Sequence, residues 1–180
     1  MKTVSYYKAD GTLTSNVIDD DVKPAHMNDI KAGDLVKLAI TDGKITTIRP
    51  VYMGGELYDY NGSAPLASGI NHFKVSYDGK AGYYQAMVGV VQSFDYEGKF
   101  VEIIPTAVAD GSYNAADTLQ LLLSGSAKYY KQDKNGKVIA AEYGDFANEA
   151  LEVKPATTTR VVAIVMNEAI VAMYQIPAAE

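Results

Sequence analysis

Three consecutive aspartates, Asp19-Asp20-Asp21, make the densest acidic run of the chain, with Asp10, Asp29 and Asp34 near them in sequence. Hard oxygen ligands of this kind suit Ca²⁺, which takes about six to eight of them. Asp19, Asp20 and Asp21 are therefore the candidate metal ligands, and calcium is the one cofactor these residues suggest. The spacing of an EF-hand, with its glycine and closing glutamate, is missing, and the plainer reading is a solvated acidic loop. His26 and His72 stand alone. Neither belongs to a His-x-x-x-His or His-Glu-x-x-His spacing, so zinc would need distant carboxylate partners, and loop or surface histidines are the simpler reading. Cysteine is absent. That excludes disulfides, thiolate chemistry and cysteine-held zinc or iron–sulfur groups.

Tyrosine is the other conspicuous side chain, with 14 copies and no tryptophan. It clusters as Tyr6-Tyr7, Tyr58 with Tyr60, Tyr83-Tyr84 and Tyr129-Tyr130. Exposed rings on a flat sheet could stack sugars, which makes Tyr58, Tyr60, Tyr83 and Tyr84 the candidate ligand residues. Adjacent residues on a strand point to opposite faces, so packing is the competing reading: one ring of each pair inside, one outside. Gly62-Ser63-Ala64 and Ser124-Gly125-Ser126 are not the Gly-x-Ser-x-Gly elbow of a serine hydrolase. Gly54-Gly55 and Gly79 to Gly82 fit neither phosphate-cradling spacing. Twenty-two acids allow any pair to be nominated for glycoside hydrolysis, but nothing in the sequence selects two. No catalytic residue is assigned, and the expectation is a protein that is not an enzyme.

The elements that must position these side chains read as strands joined by tight turns. Asp42-Gly43-Lys44, Asp78-Gly79-Lys80, Glu97-Gly98-Lys99 and Asn135-Gly136-Lys137 share one form, and Asp10-Gly11 is close to it. Asp-Gly and Asn-Gly tolerate positive φ at both central positions, the demand of type I′ hairpin turns. Runs of β-branched and aromatic residues alternate on either side, as in Leu35 to Ile40 and Ile45 to Arg49, Phe73 to Tyr77 and Tyr83 to Met87, and Val88 to Tyr96 and Phe100 to Ile104. Helix signals are few. Asn114 to Asp117 could open a short helix through Leu123, and Tyr143 to Leu151 could hold a turn or two. The expected fold class is all-β, with small antiparallel β-barrels or sandwiches and at most one or two short helices.

The two ends of the chain repeat one another. Ser5-Tyr6-Tyr7-Lys8-Ala9-Asp10 aligns with Lys128-Tyr129-Tyr130-Lys131-Gln132-Asp133 at an offset of 123, and Leu35 to Val51 aligns with Arg160 to Ile176 at an offset of 125. Each copy is a Tyr-Tyr-Lys strand, an irregular acidic stretch and a closing hairpin. The second copy is preceded by a further apolar hairpin, Val88 to Ile104, and the first is not. The first sheet then either borrows the middle strands, giving one fused domain, or ends on an open edge that offers unpaired N–H and C=O groups to another chain.

Asn28-Asp29-Ile30-Lys31-Ala32-Gly33-Asp34-Leu35-Val36, followed by Asp42 to Ile48, resembles a recurrent element of Gram-positive cell-surface proteins. It is similar to the β-rich repeats beside S-layer homology modules in clostridial surface-layer proteins. Tyr129-Tyr130-Lys131, Asn135-Gly136-Lys137 and the closing Val161 to Ile176 hairpin resemble the end of the same repeats. The likeness covers about half of the chain, and similar small β-modules occur in tailed-phage virion proteins. The S-layer homology motif itself is not present. What the resemblance implies is a structural surface role, with no catalytic residue.

With 180 residues the chain can fold without staples, and 48% hydrophobic content is that of a globular protein. Sixteen basic against 22 acidic residues give a net charge of −6, which argues against nucleic acid as a partner and against a polybasic membrane surface. The strongest apolar run, Val161 to Met166, is six residues, so no membrane insertion is expected, and the opening residues do not read as a signal peptide. A boundary is expected in Gly54 to Gly69, which holds four glycines and a proline. That divides the chain into an N-terminal β half-repeat (1–53), a linker or long loop (54–69) and a C-terminal barrel or sandwich (70–180), with fusion of the outer two as the alternative. The expected function is a non-catalytic structural module of an extracellular surface or virion. Its expected partners are copies of itself or neighbouring structural proteins. A carbohydrate- or ligand-binding module is the alternative.

Overall fold

The computed structural model describes residues 2–8, 11–22, 29–66, 70–77, 80–95, 97, 99–105, 117–135, 137–147 and 160–176; for 71–77, 80–81, 94 and 147 it describes the backbone alone. Strands take 68% of the described residues and helix 3%, so the protein is all-β. In chain order the strands are β1 (Thr3–Tyr7), β2 (Leu13–Ile18), β3 (Leu35–Thr41), β4 (Lys44–Met53), β5 (Glu56–Leu57), β6 (Ile70–Tyr77), β7 (Lys80–Asp95) and β8 (Phe100–Pro105). They continue with β9 (Leu119–Gln132), β10 (Val138–Ala141), β11 (Arg160–Met166) and β12 (Ala169–Ile176), and one short helix, α1 (Gly144–Ala147), precedes β11.

Two sheets result. The first runs β1-β2-β4-β3, with β5 also on β4; the second runs β10-β9-β12-β11-β7-β6, with β8 joining β7 to β9. In the second, the pairings β7–β8, β8–β9, β9–β12, β12–β11 and β11–β7 close a circuit of five strands. All five supply side chains to one cluster: Met87 and Val91, Val101 and Ile103, Leu123, Ile170 and Met173, and Val161, Ala163 and Val165. Phe146 of α1 packs into it. Strand β7 serves three neighbours along its 16 residues, and Gly89 pairs with Val161 of β11 on one edge and Pro105 of β8 on the other. A Cβ there would lie 2.5 Å from the Ile103 side chain and 2.7 Å from the Ile104 carbonyl oxygen, so only glycine lets these strands approach.

The opposite face of β7, β11 and β12 is covered by the first sheet. Val51, Tyr52 and Leu57 pack with Tyr84, Ala86, Val88, Val162, Ile164, Val171, Tyr174 and Ile176 in a cluster that draws on both sheets. Residues 54–66, where the sequence loses its periodicity, fold back on this core. Gly54 and Gly55 turn at positive φ into β5, Tyr58 bridges Pro65, and the Leu66 N–H donates to the Leu57 carbonyl. A smaller cluster, Ile18, Ile45 and Ile48, belongs to the first sheet alone.

Both sheets are mixed, not purely antiparallel, because β2 lies parallel to β4 and β9 parallel to β12. Neither parallel pair is a hairpin, so no turn signal announces it. The helix expected from Asn114 through Leu123 is also corrected: Asn114 to Ala116 lie outside the described residues, and Leu119 to Leu123 open β9. Pairing with β8 on one side and β12 on the other outweighs the local helix preference of this leucine-rich stretch. The turn or two expected over Tyr143 to Leu151 corresponds to α1, with 148–151 outside the described residues.

The repeat holds in the backbone, with one adjustment. Strand β3 spans Leu35–Thr41 and β11 spans Arg160–Met166, a displacement of 125. Asp42 and Gly43 turn with φ of 50° and 77°, and Asn167 and Glu168 with 51° and 63°. The bulge recurs as well: pairing jumps between Ala39 and Ile40 in one hairpin and between Ile164 and Val165 in the other. The first hairpin of each repeat follows the same displacement, since Tyr7 faces Leu13 and Gln132 faces Val138. The Tyr-Tyr-Lys identity at an offset of 123 is thus slipped by two residues from the structural equivalence. Asp10, Asp78, Gly79, Gly98 and Gly136 of the expected turns lie outside the described residues, while the strands flanking those turns pair as hairpins.

Candidate functional site

Polar side chains converge where the first sheet meets the second. The turn Lys31 to Asp34 leads into β3, with the Asp34 N–H donating to the Lys31 carbonyl at 3.1 Å. In return the Lys31 N–H donates to the Asp34 carboxylate at 2.7 Å, and the Gly54 N–H reaches its other oxygen at 3.4 Å. Gly33 makes this turn possible twice over. Its φ is +102°, and a Cβ would run into the Gln132 amide and the Tyr174 hydroxyl. The Gln132 side chain donates to that hydroxyl at 2.6 Å, so β9, β12 and the turn before β3 meet at one point.

Burial pushes the Asp34 carboxyl above its usual range, against the opposing pull of the Lys31 and Gly54 N–H groups and the Lys31 charge. Burial likewise raises the phenols of Tyr52 and Tyr174, and the Asp34 charge adds to both shifts. Arg160, the one buried charged side chain among the described residues, offsets part of the shift at Tyr52. A carboxyl, two phenols, an amide and a guanidinium thus occupy the junction, with the acids biased toward their neutral forms. Inside this sheet-to-sheet contact the Asp34 carboxylate and the Tyr174 hydroxyl both have hydrogen-bond partners. No histidine belongs to the set, so Asp34 is its most acidic member.

The residues singled out by sequence are dispersed. Asp19 follows β2, accepts the Asp21 N–H at 3.2 Å and pairs with Lys44 at 3.7 Å, while Asp20 and Asp21 face solvent. Among the described residues no three acids or histidines are grouped to hold a metal ion. His26 lies outside the described residues, and His72 is on β6, whose side chains beyond Ile70 are not described. The tyrosines divide as the alternation of a strand requires: Tyr83 is 71% exposed and Tyr84 1%. Tyr58 is buried, and Tyr60 is exposed with the Lys37 ammonium 4.4 Å from its ring centroid. Lys37 also donates to the Tyr60 carbonyl at 3.0 Å; burial and the neighbouring Arg49 charge lower its pKa.

Of the junction residues, Asp34 stands in sequence as one acid among many, and Gln132 and Tyr174 carry no signal. Arg160 does carry one, because it is the lone charge heading an otherwise apolar strand. Comparisons of the chain with models of known families, with curated proteins and with solved structures find no match.

Proposed function

We propose that the protein is a non-catalytic structural module that assembles with copies of itself through open sheet edges, at an extracellular surface or in a virion. The observation that carries this reading is the set of terminal strands. Both sheets end on strands, β1 and β3 in the first and β10 and β6 in the second, that have one neighbour each among the described residues. Such edges are templates for another strand, and folded proteins commonly cover or blunt them. Exposed Leu13 and Ile40 lie on or beside two of these hairpins, which adds apolar surface at the edges. The absence of any assigned nucleophile or metal set in the sequence is consistent with a role made of surfaces.

The test is the solution mass of the full chain by light scattering after size exclusion, across protein concentration and with or without calcium. The expected result is a rise from the 19.4 kDa monomer to a defined oligomer or polymer. The monomer mass under every condition overturns the reading. A carbohydrate-binding role is the second reading, favoured by the exposed ring of Tyr83. It predicts a glycan-dependent change in tyrosine fluorescence that Tyr83→Ala abolishes.

A further inference from the structure

We infer that the outer edge of β3 is a docking site for β3 of a second molecule, joined antiparallel about a two-fold axis at Leu38. The inference rests on the assembly reading above and names its interface. The protein itself shows what such an edge accepts. Strand β11 is the counterpart of β3, equal in length, in turn conformation and in the position of the bulge opposite it. On its outer edge β11 carries an antiparallel strand, with Arg160 to Val165 facing Val90 to Gln85 of β7. Strand β3 has no strand there among the described residues. The side chains register the difference: Ile40 is 46% exposed, whereas its counterpart Val165 is 3% exposed. Val36 and Leu38 are half-buried, and their counterparts Val161 and Ala163 are buried. Both bulges in the β3–β4 pairing place the extra residue on β4, so β3 remains regular along its length.

The sequence of β3 fits a second copy of itself and sets the register. Antiparallel pairing about a two-fold axis through the sheet keeps each face continuous, so even-numbered residues must meet even-numbered ones. Centring on Leu38 pairs all seven residues. Val36 then faces Ile40 of the second molecule, Leu38 faces Leu38, and Lys37 faces Ala39. The apolar stripe formed by Val36 and Leu38 over the Ile18–Ile45–Ile48 cluster continues across the join. Centring on Lys37 instead would set two ammonium groups opposite one another, which is unfavourable.

The test uses the full chain and two exposed positions. Ala39→Lys places like charges opposite each other twice in the dimer and should weaken association by about tenfold, and Ile40→Lys should weaken it similarly. Ala39→Glu, which sets a carboxylate opposite Lys37, should keep or tighten it. Because the chain has no cysteine, register can be read directly: a mixture of Lys37→Cys and Ala39→Cys chains should cross-link on oxidation faster than either alone. A wild-type monomer at every concentration overturns the assembly reading and this interface together. An oligomer that forms but is unaffected by Ala39→Lys and Ile40→Lys, or a mixture that cross-links no faster than its components, overturns the β3 interface alone.

Discussion

Asp34 gains its leverage from where its carboxylate sits. It closes the turn before β3 by accepting the Lys31 N–H, yet it lies partly withdrawn from water beside Tyr52 and Tyr174. Its pKa is raised in the folded protein, so between the ordinary carboxylate range and that higher value the native state holds a proton that the unfolded chain has released. Stability contributed at this residue therefore falls as pH rises through that window. Asp34→Asn removes the titration while keeping a side-chain acceptor. Urea unfolding of the wild type and the variant between pH 4 and 7 should show a smaller loss of stability with rising pH in the variant. Equal slopes would mean that the carboxyl is not raised. At this scale little was legible in advance. Asp34 is one of 22 acids in sequence, and Gly54, Tyr52 and Tyr174 come to it from distant positions, so only the fold gives it a distinct role.

At the scale of elements the repeat offers its own control. Asp42-Gly43 and Asn167-Glu168 make the same turn, but only the first has a glycine where φ is most positive. Glu168 holds φ of 63° with a full side chain, a conformation that costs an ordinary residue about 1–2 kcal/mol. Glu168→Gly should therefore raise unfolding stability by about 1 kcal/mol, read as a higher urea midpoint with unchanged slope. No gain would indicate that side-chain contacts of Glu168 offset the strain. The hairpins themselves were readable, since Asp-Gly and Asn-Gly steps between alternating runs announce them. The alignment at Tyr-Tyr-Lys misled by two residues because identity of side chains is a weaker guide than hydrogen-bond register. A slip of two preserves which face each tyrosine takes, so nothing in the alternation betrayed it. The parallel pairs β2–β4 and β9–β12 were hidden for a different reason. They join strands far apart in sequence, and no local pattern encodes that choice.

For the molecule as a whole the deciding feature is the cluster shared by the two sheets. Leu57, fully buried on the two-residue strand β5, packs among side chains of β4, β7, β11 and β12. Leu57→Ala should cost about 2–5 kcal/mol and lower one cooperative transition that is the same by circular dichroism and by tyrosine fluorescence. Two separated transitions would mean that the sheets unfold independently. The five-strand circuit also sets an order on synthesis. Strand β9 can pair with β8 as soon as it emerges, but its other edge waits for β12, some fifty residues later. At about 5–20 residues per second, that edge stays open for roughly three to ten seconds on the ribosome. Throughout the wait Leu123 lacks Ile170 and Met173 of the strand that finally packs beside it, and the nascent chain is most exposed to misassociation. Slow translation between Gln132 and Ala169 would lengthen that interval, and faster translation would shorten it.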